Sequence, residues 1–331
     1  MNNNVNAILP GTELNGYVFN KEIGVGGFST VYLVRSVKFE MDFVAKVIHK
    51  KLSNTDIAWK SYLTETTNLC KLDHPNIIRL YEAFPNEDSL IIILEYCPGG
   101  SLLDLVRNKG VISEKELFSL MVQVVDAMIH LTKCGIVHHD IKPQNILLDP
   151  FNRPKLADFG LSSKAGSDKS HLYQGTWTFL APEVIKKTPY DPIPADIWSL
   201  GVTMFFCLTG RLPFLGTTVK ELETSIVSGY FEMPSNISSD CSLLIRGMLQ
   251  IVPSKRYSLQ EIRTILQEKK SRIPLPHLNS VFSEPKVNLQ RTPLRKPTTN
   301  LLIVTTRRNS SLNLKSSGIL NALKRNSQTV N

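Results

Sequence analysis

Long hydrophobic runs are missing from this 331-residue sequence: its longest apolar stretches are residues 90–94 and residues 202–208, the latter interrupted by Thr203. A membrane-crossing helix needs about 20 such residues, so no membrane span is expected. No secretory leader is expected either. Met1-Asn2-Asn3-Asn4-Val5-Asn6 has no basic start and no apolar stretch, and residues 1–16 read as a polar leader. Cysteine is sparse, and Cys70, Cys97, Cys134, Cys207 and Cys241 are scattered without C-x-x-C spacing. That excludes a disulfide framework and a zinc site as the organising device, and it fits a cytoplasmic protein, with nuclear entry left open. Internal repeats are also absent.

Acidic residues are scarce in the last fifth. Residues 268–331 hold twelve Lys and Arg against Glu268 and Glu284, so this segment carries +10 while the whole chain carries +9. The remainder is close to neutral, which argues against a specific nucleic-acid-binding fold. The same segment is rich in Ser, Thr, Asn and Pro, shows no sustained period and reads as a disordered basic tail.

What is present is a β-rich first third and a helical remainder. Residues 17–19, 31–34 and 43–48 read as strands, with Gly24-Val25-Gly26-Gly27-Phe28-Ser29 as a glycine turn between the first two. Residues 57–72 read as a helix, and residues 77–84 and 90–95 as two further strands, the last nearly all apolar and so central. Helices are expected over residues 101–108 and 113–134, with Ser113 and Glu116 spaced as a capping box. Residues 197–208 form a core helix by their uniform apolarity, and residues 219–227, 243–251 and 259–267 are amphipathic.

The chemistry concentrates in His138-His139-Asp140-Ile141-Lys142-Pro143-Gln144-Asn145. A carboxylate at Asp140 can orient a hydroxyl, an ammonium at Lys142 can sit beside migrating charge, and an amide oxygen at Asn145 can bind a metal. That set suits phosphoryl transfer. Asp158, in Asp158-Phe159-Gly160, is a second candidate Mg²⁺ ligand, because Mg²⁺ takes a few protein oxygens and completes its shell with waters and phosphates. The glycine turn opens a strand and not a helix, so it is no dinucleotide-binding turn, and it can lay N–H groups over phosphates or serve as a plain tight turn. Lys46, inside an apolar strand, needs a buried partner, for which Glu65 is the candidate.

Taken together, these motifs closely resemble the eukaryotic protein kinases from about residue 17 to residue 267. The resemblance implies an α+β fold of two lobes, a five-stranded antiparallel β lobe with one helix (about 17–96) and a mainly helical lobe (about 97–267), ahead of the tail. It implies ATP and Mg²⁺ as cofactors and protein Ser/Thr hydroxyls as substrate. Asp140 and Lys142 would be catalytic, and Asn145 and Asp158 would hold metal. Ile23, Gly24, Gly26, Val31, Val44, Lys46, Glu65, Leu94, Glu95, Cys97 and Leu147 would surround the nucleotide, with Leu94 as gatekeeper. Ala181-Pro182-Glu183 would end the activation segment, with Arg256 as the buried partner of Glu183. Within the family the large lobe is most similar to the calcium/calmodulin-dependent and AMP-activated group. The rival reading is a pseudokinase serving as a nucleotide-binding scaffold.

Three departures are specific to this chain. His139 replaces the family's Arg, and Leu172 stands where the phosphorylated residue of the activation segment usually lies. Both halves of that switch are missing, so an activation segment ordered without phosphorylation there is expected. His139 itself reads either as a neutral hydrogen-bonded residue or as a weak pH-dependent cation. Trp177 replaces a proline in the loop that receives the residue after the target hydroxyl. Ser101 and Gln144 replace acids that read substrate arginine in basophilic relatives. In the tail, Arg307-Arg308-Asn309-Ser310 and Lys324-Arg325-Asn326-Ser327 could be targets of upstream kinases, a self-inhibitory segment or plain solvated chain.

Overall fold

The structure is a computed structural model, and it describes residues 8–26, 29–49, 66, 69–70, 72–86, 89–164, 176–186 and 189–272. Runs of β-branched and aromatic residues build the small lobe. Strands β1 (Glu13–Leu14), β2 (Tyr17–Val25), β3 (Ser29–Ser36), β4 (Asp42–His49), β5 (Leu80–Asn86) and β6 (Ser89–Leu94) form one antiparallel sheet in the order β1-β2-β3-β4-β6-β5. The sheet therefore has six strands and not the expected five. The sixth arises because Asn15 and Gly16 both take positive φ, 52° and 77°, which is the two-residue turn that folds β1 back on β2.

Strand β4 is buried on both faces. Phe43, Ala45 and Val47 join Tyr17, Phe19, Tyr32 and Ile91 in an outer apolar cluster, while Val44 and Ile48 belong to the main core. Alternation along the strand puts Lys46 on the same face as Val44 and Ile48. Of the helix expected over residues 57–72, only Thr66, Leu69, Cys70 and Leu72 are among the described residues, and Glu65 lies outside them.

The large lobe is helical. Helix α1 (Leu102–Lys109) starts at Ser101 with a full reciprocal capping box to Asp104, a feature the sequence reading missed. Helix α2 (Glu114–Lys133) starts at Ser113, whose hydroxyl accepts from the Glu116 amide; the Glu116 carboxylate does not complete the expected box. Between α2 and the next helix run β7 (Ile136–Val137), the hairpin β8 (Ile146–Leu148) and β9 (Pro154–Leu156), and β10 (Ser163–Lys164), which pairs with β7. After the short α3 (Pro182–Ile185) comes α4 (Pro192–Thr209). By length and composition α4 could cross a membrane, but here it is the core helix, with Trp198, Leu200, Val202 and Met204 fully enclosed. Helices α5 (Val219–Ser228), α6 (Ser239–Met248) and α7 (Leu259–Arg272) complete the lobe, α6 starting ahead of the expected residue 243 because Ser238 caps it.

Candidate active site

The catalytic stretch lies between β7 and β8, on a loop that α4 holds from below. The Asp196 carboxylate accepts the His138 and His139 amides, both at 2.9 Å, one on each oxygen. His139 sits at φ 66°, a left-handed conformation that costs a non-glycine residue about 1–2 kcal/mol. The two charge-assisted bonds offset that cost. Burial pushes the Asp196 carboxyl up to about 7, against the two amide bonds that pull it down.

His138 is fully buried and neutral. Its Nδ1 accepts from the Asp140 amide at 3.2 Å, so Nε2 carries the proton and donates to the Ala157 carbonyl at 3.0 Å. Burial holds this imidazole below its usual pKa. Its ring meets Phe159 edge to face with centroids 4.8 Å apart, which ties the catalytic loop to the Asp158-Phe159-Gly160 segment.

Six side chains make up the centre, in two linked sets. Lys142 Nζ donates to Asp140 Oδ2 at 2.6 Å and to Thr176 Oγ1 at 2.8 Å. Asn145 Nδ2 donates to the Asp140 carbonyl and to Asp140 Oδ2, both at 2.9 Å. This commits the Asn145 amide nitrogen and leaves the oxygen as the atom available to a cation. Asp158, at φ 64°, presents its carboxylate to Lys46 Nζ at 3.1 Å, and that ammonium holds Asp158 below the usual carboxylate range. The donor set of one carboxylate and one amide oxygen therefore fits a magnesium ion that keeps waters and phosphates in its shell.

Above these groups, Gly24 pairs with Val31 across β2 and β3, and the Gly26 amide donates to the Ser29 carbonyl at 2.7 Å, closing the glycine turn; Gly27 and Phe28 lie outside the described residues. Ile23 packs on the main core with Val31, Val44, Leu94 and Leu147. The connection between lobes is knit to β8 by Gly99 N to Leu148 O at 3.0 Å and Leu148 N to Gly100 O at 2.8 Å. A Cβ on Gly99 would come within 2.6 Å of the Leu148 Cβ, so this approach requires glycine.

Glu95 and Cys97 lie in that connection, and both are buried. The Glu95 side chain and backbone amide are used within the protein, which leaves its backbone carbonyl as the part available to a ligand. Its Oε1 accepts from Lys155 Nζ at 2.6 Å and its Oε2 from the Arg79 amide at 3.0 Å.

The expected partner of Glu183 is present. Arg256 makes a bidentate pair with it at 2.6 and 2.7 Å, donates to the Pro194 and Gln250 carbonyls at 2.8 Å, and lies over the Trp198 ring. This pair, with Ser199 Oγ donating to the Phe179 carbonyl, fixes the far end of the segment that begins at Asp158. Leu172 and Gly175 lie outside the described residues. Asp196 and Lys155 were missed as site residues. The available signal was a charged residue inside an apolar segment, which must find a partner.

A model of the protein kinase domain matches residues 17–267. Over 247 residues the chain is 34% identical to sperm motility kinase 3A of Mus musculus, covering 74% of this chain and 48% of that protein. Over 301 residues it is 34% identical to serine/threonine-protein kinase ppk25 of Schizosaccharomyces pombe, covering 89% of this chain and 70% of that protein. The chain thus spans about half the length of the mouse relative. With the catalytic-loop geometry and a family match across most of its length, this chain belongs to the protein kinase family.

Proposed function

We propose that the chain is a serine/threonine protein kinase that moves the γ-phosphoryl group of ATP onto Ser and Thr hydroxyls of protein substrates. The observation that carries this reading is the joint hold of the Asp140 carboxylate and the Thr176 hydroxyl on the Lys142 ammonium, at 2.6 and 2.8 Å. Asp140 orients the incoming hydroxyl and takes its proton late in the transfer. Lys142 stands where negative charge gathers on the moving group, so the site works by positioning and by charge neutralisation.

Magnesium, when bound, supplies positive charge against the phosphates, and Asn145 and Asp158 would hold it. Lys46, with Glu65 as its proposed support, would face the α- and β-phosphates, and Gly24 and Gly26 would lend backbone N–H groups from above. The adenine would lie between Ile23, Val31 and Val44 on one side and Leu147 on the other. Leu94 would bound it at the back, with the backbone of Glu95 and Cys97 along its edge.

His139 and Leu172 support activity without phosphorylation at the usual activation-segment position. The large-lobe motifs support kinship with the calcium/calmodulin-dependent and AMP-activated group. Ser310 and Ser327 are the tail hydroxyls an upstream kinase would reach, and the cysteine pattern supports a cytoplasmic setting. The name of the fission-yeast relative supports Ser/Thr as the acceptor class.

Single-turnover transfer from ATP to a generic protein acceptor tests the reading. Asp140→Asn is expected to slow it about 100- to 10,000-fold, the usual range for a lost general base. A wild-type rate no greater than that of the variant would leave a nucleotide-binding scaffold instead.

A further inference from the structure

The Glu95 carboxylate is a junction of three segments. Its backbone amide donates to the Arg79 carbonyl at 2.8 Å, and its Oε2 accepts the Arg79 amide, so the connection between the lobes is clasped twice to the segment ahead of β5. Its Oε1 takes Lys155 Nζ at 2.6 Å, from the middle of β9. Lys155 and Glu95 are 8% and 7% exposed, so the pair is shielded from solvent. Lys155 pairs in register with Leu147, the floor of the proposed adenine site, and stands three residues before Asp158. Strand β9 is fixed in turn: Asn76 Nδ2 donates to the Pro154 carbonyl at 2.8 Å, and the Leu156 amide donates to the Asn76 carbonyl at 2.8 Å.

We propose that Lys155 is a positioning residue for the nucleotide, setting the adenine-facing edge at Glu95–Cys97 in register with the Leu147 floor through its ion pair with Glu95. This rests on the kinase reading above. The ammonium touches neither adenine nor phosphate; it fixes the distance between two surfaces that must grip one flat ring. Backbone knitting at Gly99 and Gly100 fixes the connection farther along the chain, whereas Lys155 fixes it at the residue beside the ring.

Lys155→Met alone leaves a buried, unpaired carboxylate and can unfold the chain, so the decisive variant is Glu95→Leu/Lys155→Met. Apolar replacement of a buried pair is often neutral for stability. The measurements are thermal melting, equilibrium binding of a fluorescent ADP analogue, and the ATP dependence of transfer to a peptide acceptor. The expected result is a double variant that melts with wild type yet binds the analogue about tenfold more weakly, the equivalent of one misplaced hydrogen bond. Its KM for ATP should rise by more than its kcat falls. A double variant with wild-type melting and wild-type nucleotide affinity would show the pair to be structural only and would overturn the proposal. A double variant that melts well below wild type would overturn it as well, because the pair would then serve folding. Failure of the kinase reading looks different: the wild-type chain itself would transfer no phosphoryl group to the acceptor, whatever its affinity for the analogue.

Discussion

At the scale of single residues, Asp196 decides whether the catalytic loop keeps its shape. Its two oxygens hold two successive amides around the left-handed kink at His139. Asn at this position would offer one acceptor and would turn its NH₂ against the other amide. Asp196→Asn is therefore expected to lower kcat about 10- to 100-fold while the melting profile survives, the scale of one charge-assisted bond lost and one amide left unpaired. An unchanged kcat would mean the loop holds its kink unaided. The raised pKa also has a sign. Because the folded chain binds this proton more tightly, folding is favoured by the protonated acid below the usual carboxylate range, and that gain is lost as pH rises through about 7, where the two amide bonds repay only part of the cost of burying the charge. Asp140, Lys142 and Asn145 were legible as candidates because they share a short polar loop between two apolar stretches, Asp158 because an acid stands at a strand end, and Lys46 because a lysine inside an apolar strand must find a partner. Asp196 and Lys155 were not, since their partners lie 58 and 60 residues away and periodicity does not say which buried charges meet.

At the scale of elements, the strands and long helices followed from apolar periodicity, and the errors fell at their ends. Ser113 was readable as a cap, but the reciprocal box formed at Ser101 and Asp104, where the side chains face each other across the first turn. Strand β1 was missed because its signal lies in Asn15-Gly16 and not in its two short flanking pairs. Helix packing adds a constraint that no pattern reveals. Gly247 in α6 lies against the Tyr257 ring so closely that a Cβ would meet Cε2 at 2.0 Å. Alanine would gain about 1 kcal/mol of helix propensity. Overpacking costs about 1–3 kcal/mol, so the contact is expected to win. Gly247→Ala should therefore lower Tm by several degrees, at roughly 2–4 °C per kcal/mol for a domain of this size. A raised Tm in a calorimetric scan would show that the ring moves aside at no cost.

At the scale of the whole molecule, the segment from Asp158 to Glu183 is anchored at both ends within the protein: by Phe159 against His138, and by Glu183 on Arg256. With His139 and Leu172 in place of the usual switch, phosphatase treatment of the purified chain is expected to leave its transfer rate unchanged. A loss of rate restored by phosphorylation of Ser167, Ser170 or Tyr173 would overturn that expectation. The buried connection between the lobes has a further consequence, in redox chemistry. Cys97 is wholly enclosed and burial raises its thiol well above the ordinary range, whereas Cys134 is exposed. The thiolate is the form that oxidants and electrophiles attack. Oxidation of the folded chain is therefore expected at exposed Cys134, at the end of α2, ahead of Cys97, which would spare the proposed nucleotide edge.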